Sequence, residues 1–146
     1  MKKTLYILIP LIGFISLSIQ AETNNVSKQA EVVKILFDKY AKEAREENPK
    51  STLSADAGRA LYVKRRSYQS QDVSCSSCHT DNPANEGKNV DTGKPIKPLA
   101  ISANPNRFIN AKKVEKNFSI HCIDLYKKDC SAQDKGDFLA YIMSIK

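Results

Sequence analysis

Between residues 26 and 47 apolar side chains recur every three or four positions: Val26, Ala30, Val33, Phe37, Tyr40, Ala41 and Ala44. That period puts them on one face of a helix. Pro49 ends it, because the residue before a proline is pushed out of the α region. A second helix is predicted over 54–65, capped by Ser54, with Gly58, Leu61 and Tyr62 on one face. A glycine inside a helix costs about 1 kcal/mol against alanine, so Gly58 predicts close approach by another helix, the C-terminal one being the candidate. Residues 111–126, capped by Asn110, carry Val114, Phe118, His121 and Leu125 at helical spacing, one imidazole among apolar groups. Ser131 opens the last helix, with Asp134 in a shortened capping-box position. Its buried side is Phe138, Leu139, Ile142 and Ile145, with Tyr141 beside them.

Two stretches lack such a period. Residues 67–74 are polar and read as a loop. Residues 80–105 hold Pro83, Gly87, Gly93, Pro95, Pro98 and Pro105 and read as irregular, with Ile96, Leu99 and Ile101 as apolar anchors. A loop this long in a small domain needs something to wrap; a flexible loop is the alternative. No internal repeat interrupts the pattern.

The ends of the chain add a destination. Lys2 and Lys3 precede a mostly apolar stretch over 5–19, and small residues lead to a predicted cut after Ala21. The apolar run falls short of the ~20 residues of a spanning helix, so residues 1–21 read as a cleaved signal peptide and the mature protein as periplasmic. An uncleaved anchor is the alternative. The remainder is one domain by length, organised as an N-terminal helix and connector over 22–53 and a main domain over 54–146. Loss of Lys2 and Lys3 takes the formal charge from +7 to +5. That balance suits an acidic partner or an anionic surface, or simply a soluble surface. No basic block with interleaved aromatics points to nucleic acid.

The chemistry sits in Cys75-Ser76-Ser77-Cys78-His79. C-x-x-C-H is the attachment pattern of a c-type haem: two thiols add across the haem vinyl groups, and the following imidazole is held beneath the iron as the proximal ligand. Three other readings compete. A thioredoxin-like redox pair needs a βαβ setting, and no strand-like alternation flanks the motif. A zinc site would draw on His79, His121 or Cys122 at irregular spacing. The thiols could also be inert. Export to an oxidising compartment leaves Cys122 and Cys130 as an even pair able to close a disulfide or to remain free. The haem reading implies one covalent haem c as cofactor.

The opposite face of the iron needs a ligand, and His121 is the only histidine besides His79. It lies beyond the wrapping loop on a helix able to face the iron. Met143 sits too near the end of the last helix, Asn117 lies off the apolar stripe, Tyr126 past it, and Cys122 is better used in a disulfide. Two imidazoles imply a lower reduction potential than histidine with methionine, small reorganisation, and no vacant position for substrate. With no added general acid or base, the chain reads as a one-electron carrier rather than an enzyme, with no catalytic residues.

From residue 54 to 145 the sequence resembles the oxygen-binding monohaem cytochromes c of the sphaeroides haem protein type. The resemblance is carried by Gly58-Arg59-Ala60-Leu61-Tyr62, the C-x-x-C-H segment with Thr80, and Gly93-Lys94-Pro95-Ile96-Lys97-Pro98-Leu99-Ala100. Ser102-Ala103-Asn104-Pro105-Asn106-Arg107-Phe108, Lys113-Val114-Glu115-Lys116, the cysteine pair and Lys135-Gly136-Asp137-Phe138-Leu139 complete it. It implies an all-α, class I cytochrome c-like fold around one covalent haem, to which this chain adds an N-terminal helix. It also implies a disulfide beside the distal ligand and a periplasmic redox partner, a dihaem cytochrome c or a membrane cytochrome b. In that family an asparagine before the first disulfide cysteine binds oxidised iron and leaves on reduction, admitting dioxygen or nitric oxide. Here that position is His121, and Asn117 stands where the family tends to carry tryptophan. Two functions follow as expectations: electron transfer with bis-histidine ligation, or binding of a diatomic gas after His121 is released.

Overall fold

The computed structural model describes residues 16–146. Most of the predicted signal segment, and with it the expected n-region, lies outside the described residues. Helix α1 spans Ser16–Glu47 and runs continuously through the predicted cut after Ala21. None of the described helices is long and apolar enough to cross a membrane.

Four further α-helices follow among the described residues. They are α2 (Ala55–Val63), the five-residue α3 (Cys75–His79), α4 (Ala111–Tyr126) and α5 (Ala132–Ser144). The predicted caps are in place. Ser54 accepts a hydrogen bond from the Ala57 amide and Asn110 from that of Lys113. Ser131 and Asp134 close a reciprocal capping box. Each such cap stabilises its helix by about 1 kcal/mol.

Residues 67–74 are not the loop that their polarity suggests. β1 (Arg66–Tyr68) and β2 (Gln71–Val73) form an antiparallel hairpin, joined by Gln69 and Ser70, both at positive φ. Two consecutive positive-φ residues make the turn that matches strand twist, but without Asn or Gly at those positions no local signal marks it. A second minimal ladder pairs β3 (Gly87–Lys88) with β4 (Pro95–Ile96) inside the long irregular segment.

α2 lies across α5, and Gly58 sets the distance. A Cβ at Gly58 would collide with the carbonyl of Asp137 and come within 2.8 Å of the Tyr141 Cβ. Asp137, itself buried, accepts from the Ser54 amide at 2.7 Å and from Gln133 at 2.8 Å, fastening the start of α2 to α5. Around the crossing, Tyr62, Leu99, Tyr141 and Ile142 form one buried cluster. A second cluster, Val33, Leu36, Tyr40, Val114 and Leu139, packs α1 against α4 and α5. Rings link the two: Tyr40 meets Phe118 edge-on, Phe118 meets Phe138 at 5.3 Å, and Phe138 lies 6.3 Å from Tyr62.

The apolar face of α1 is shifted from the predicted one. Val33, Tyr40 and Ala44 are buried, but Val26 and Ala30 face solvent, and Gln29 and Leu36 take the inward positions. Gln29 is buried because its amide nitrogen donates to the carbonyls of Asn104 and Arg107, at 2.8 and 2.9 Å. A polar side chain can hold a core position when its donors are satisfied. In α5, Leu139 and Ile142 are fully buried, whereas Phe138 and Ile145 are half-buried.

Gly58→Ala tests the crossing. Helix propensity alone would favour alanine by about 1 kcal/mol, whereas overpacking costs about 1–3 kcal/mol. With backbone as the obstacle, the collision wins, and chemical denaturation should report a net loss of stability. A stabilised variant would show that the helices separate at no cost.

Candidate haem site

The motif Cys75-Ser76-Ser77-Cys78-His79 is helix α3, started by Ser74, whose amide donates to Ser77 Oγ at 3.0 Å. Its exit is held tightly. The buried Tyr62 hydroxyl donates to the Thr80 carbonyl at 2.6 Å, and Thr80 sits at φ 63°, a rarely used conformation for a threonine. Gly87 lies against the carbonyl of Cys78, where any side chain would strike Cys78 and the His79 Cα.

Cys75, Cys78 and His79 line one side of a cavity of about 850 Å³. His121 of α4 lines it too, with Phe118 and Leu125 from the same stripe. Leu61, Leu99, Phe108 and Phe138 contribute further apolar walls. Burial pushes the His79 imidazole down to about 4, with Arg107 and then His121 adding to the effect. His121 is exposed along the cavity wall, yet enough protein surrounds it that desolvation lowers its pKa, with Asp124 opposing and Arg107 assisting. Both imidazoles are therefore neutral at neutral pH, the form in which histidine binds a metal. Burial raises the Cys75 thiol to about 11.

Cys122 and Cys130 are joined as a disulfide, while Cys75 and Cys78 are free. The pairing removes Cys122 from any zinc site, and among the described residues no three metal-binding side chains converge. The thioredoxin-like reading fails because, among the described residues, both ladders are two-stranded and antiparallel and no parallel sheet is present. Asn117 and Tyr126 also border the cavity; Met143 does not and is exposed.

The long irregular segment forms another wall, held beyond the short β3–β4 ladder by isolated side-chain and backbone hydrogen bonds. Arg107 donates through Nε to the Pro98 carbonyl and through Nη2 to that of Lys97. The buried Asn104 donates to Pro98 at 3.0 Å. The Leu99 and Ala100 amides both donate to the Pro83 carbonyl. Periodicity cannot reveal such positioning residues, since they act through single polar atoms. The side-chain amides and guanidinium amid prolines were the available signal.

A family model described as a domain of unknown function (DUF1924) matches residues 48–142. Cytochrome c'' of Methylophilus methylotrophus is 39% identical over 111 residues, covering 75% of this chain and 77% of that protein. The cytochrome c-type protein SHP of Cereibacter sphaeroides is 37% identical over 89 residues, or 60% of this chain and 68% of that one. The crystal structure of oxidized cytochrome c'' has a TM-score of 0.74 at 37% identity, covering 80% of this chain and 96% of that one. A solution structure of the same relative, concerned with haem-ligand detachment, has a TM-score of 0.70 at 39% identity over 77% of this chain and 92% of that one.

The chain belongs to the cytochrome c''/SHP family of monohaem c-type cytochromes. Its cofactor is one covalently bound haem c. The residues of this cytochrome fit that group. The cavity lies within the ~300–1,000 Å³ of small-ligand sites, and its apolar rings suit a porphyrin face. Two free thiols and an imidazole occur together on α3, and a second imidazole faces the same space from α4.

The disulfide closes a loop of eight positions between α4 and α5. Chain entropy assigns a short loop of this kind about 2–3 kcal/mol. The Cys122→Ser, Cys130→Ser double variant should lose about that much in chemical denaturation of the haem-loaded protein. An unchanged midpoint would place the loop's stability elsewhere, in the ion pairs of Lys135 with Glu115 and Asp129.

Proposed function

We propose that this cytochrome is a periplasmic one-electron carrier in which His79 and His121 ligate the haem iron and Cys75 and Cys78 hold the haem through thioethers. The reading is supported above all by the two neutral imidazoles bordering one apolar cavity from separate helices. Bound haem supplies a one-electron iron couple. The protein's part is to hold and to shield. Tyr62 and Gly87 fix the exit of α3 and thereby His79. Phe118, Leu125 and Phe138 give the cavity apolar walls. Iron held by two strong nitrogen ligands changes little between oxidation states, which favours electron transfer. Its partner would be another periplasmic redox protein, a dihaem cytochrome c or a membrane cytochrome b.

A second reading has specific support. The solution structure of cytochrome c'' concerns detachment of a haem ligand, and α4 is built more lightly than α5. It buries only Val114 and Cys122, whereas α5 buries six residues, Leu139 and Ile142 among them. A helix held mainly by its cavity side can release His121 when the iron is reduced, and the opened position would take dioxygen or nitric oxide.

Absorption spectra of the haem-loaded protein separate these readings. The oxidised wild type should be low-spin, and His121→Ala should convert it to high-spin; a low-spin spectrum surviving that change refutes His121 as ligand. After reduction with dithionite, indifference to carbon monoxide supports simple electron transfer. Conversion within the mixing time supports release of His121.

A further inference from the structure

The side of α4 away from the cavity has its own pattern. Lys116, Ile120, Ile123 and Lys127 follow at steps of four, three and four, one stripe of the helix surface, and all four are exposed. Ile120 and Ile123 are 44% and 50% exposed, an apolar pair with a lysine at each end. Lys112, also exposed, extends the basic border toward the start of the helix, while Lys113 borders the cavity. Asp124 is the acid of α4 beside the stripe, and Asp91 accepts from the Tyr68 hydroxyl near its Lys127 end. Glu115, the other acid of α4, faces the opposite way and pairs with Lys39 and Lys135. Among the described residues Lys112, Lys113, Lys116 and Lys127 make no ion pair. Lys127 instead donates to the Asp124 carbonyl and lies 5.9 Å from the Tyr68 ring of the hairpin.

We propose that this outer face of α4 is the docking site for the acidic surface of a redox protein, an inference that rests on the electron-transfer reading above. An apolar centre inside a charged rim is how transient protein interfaces are built, and unpaired lysines steer an acidic partner by long-range attraction. The location suits the role. A helix is about 10–12 Å across with its side chains, so a partner seated here is one helix away from the cavity. A second copy of this chain on the same face would set lysines against lysines. An anionic membrane is disfavoured as well. A helix lying in a lipid interface buries its whole apolar side, whereas the apolar stripe of α4 is committed to the cavity and core, leaving two isoleucines.

Isothermal titration calorimetry of the haem-loaded protein with a strongly acidic [2Fe–2S] ferredoxin as probe tests the site. Saturable binding that weakens with salt is expected. The Lys112→Glu, Lys116→Glu double variant should weaken it at least tenfold, and Ile120→Ser, Ile123→Ser severalfold at a salt concentration that screens charge. Lys28→Glu, Lys50→Glu applies the same charge change elsewhere on the surface and should leave affinity within twofold. Where the double reversal fails to load haem, Lys116→Glu alone serves. No saturable binding by the wild type, an equal loss in the remote control, or unaltered binding by the α4 variants overturns the proposal. So does retention on phosphatidylglycerol vesicles, lost in the same variants, without ferredoxin binding. Because His121→Ala is read from absorption and docking from heat, failure of the ligand assignment and failure of this surface are told apart.

Discussion

At Gly58 the backbone of α2 rests on the carbonyl of Asp137, and much of the site follows from that contact. It brings the Tyr62 ring against Tyr141, with centroids 5.3 Å apart. Fully buried there, Tyr62 has one polar atom to satisfy, and a buried hydroxyl left unpaired costs about 1–3 kcal/mol. It donates to the carbonyl of Thr80, next to His79. The same burial raises the pKa of its phenol, so it remains a donor. A close helix crossing thus becomes a fixed imidazole within three links.

The segment wrapping the cavity is stable for a different reason. Prolines 83, 95, 98 and 105 have no amide hydrogen and cannot donate to a ladder, but their carbonyls still accept. Pro83 takes two backbone donors and Pro98 takes Asn104 and Arg107. From outside, Gln29 of α1 closes over the Asn104 and Arg107 carbonyls. Single side-chain and backbone donors hold most of the segment beyond the two-residue ladder, so it is ordered without any period in its sequence. The placement of Arg107 has a second effect, since its charge helps keep both histidines neutral.

The elements that could be read in advance share one trait: their signals are local. Helix caps at Ser54, Asn110 and Ser131 depend on neighbours within three residues. Gly58 announced a close approach because glycine is costly in a helix. The hairpin was hidden, since Gln69 and Ser70 adopt positive φ without the residues that prefer it. Gln29 was hidden because its burial depends on carbonyls more than seventy positions away. Spacing selects Phe37, although Leu36 is the one fully buried. A stripe read from spacing fixes a helix more firmly than it fixes the helix's rotation. In the candidate site, the cysteines and histidines were legible by type and order, while Tyr62, Gly87 and Arg107 required the fold.

α4 carries three surfaces on sixteen residues. Phe118, His121 and Leu125 border the cavity. Glu115 faces α1 and α5, where Lys39 and Lys135 meet it. The isoleucines and lysines face outward. Near the surface such ion pairs contribute about 0–1 kcal/mol each, too little to hold a helix but enough to favour one rotation over another. Rotation matters here because a turn of about 100°, one residue's step, would take His121 out of line with the cavity. Glu115 therefore does two things at once: it helps select the orientation that presents His121, and it removes an acid from the outer face. The imidazole on one side and the unpaired lysines on the other are consequences of one helix orientation.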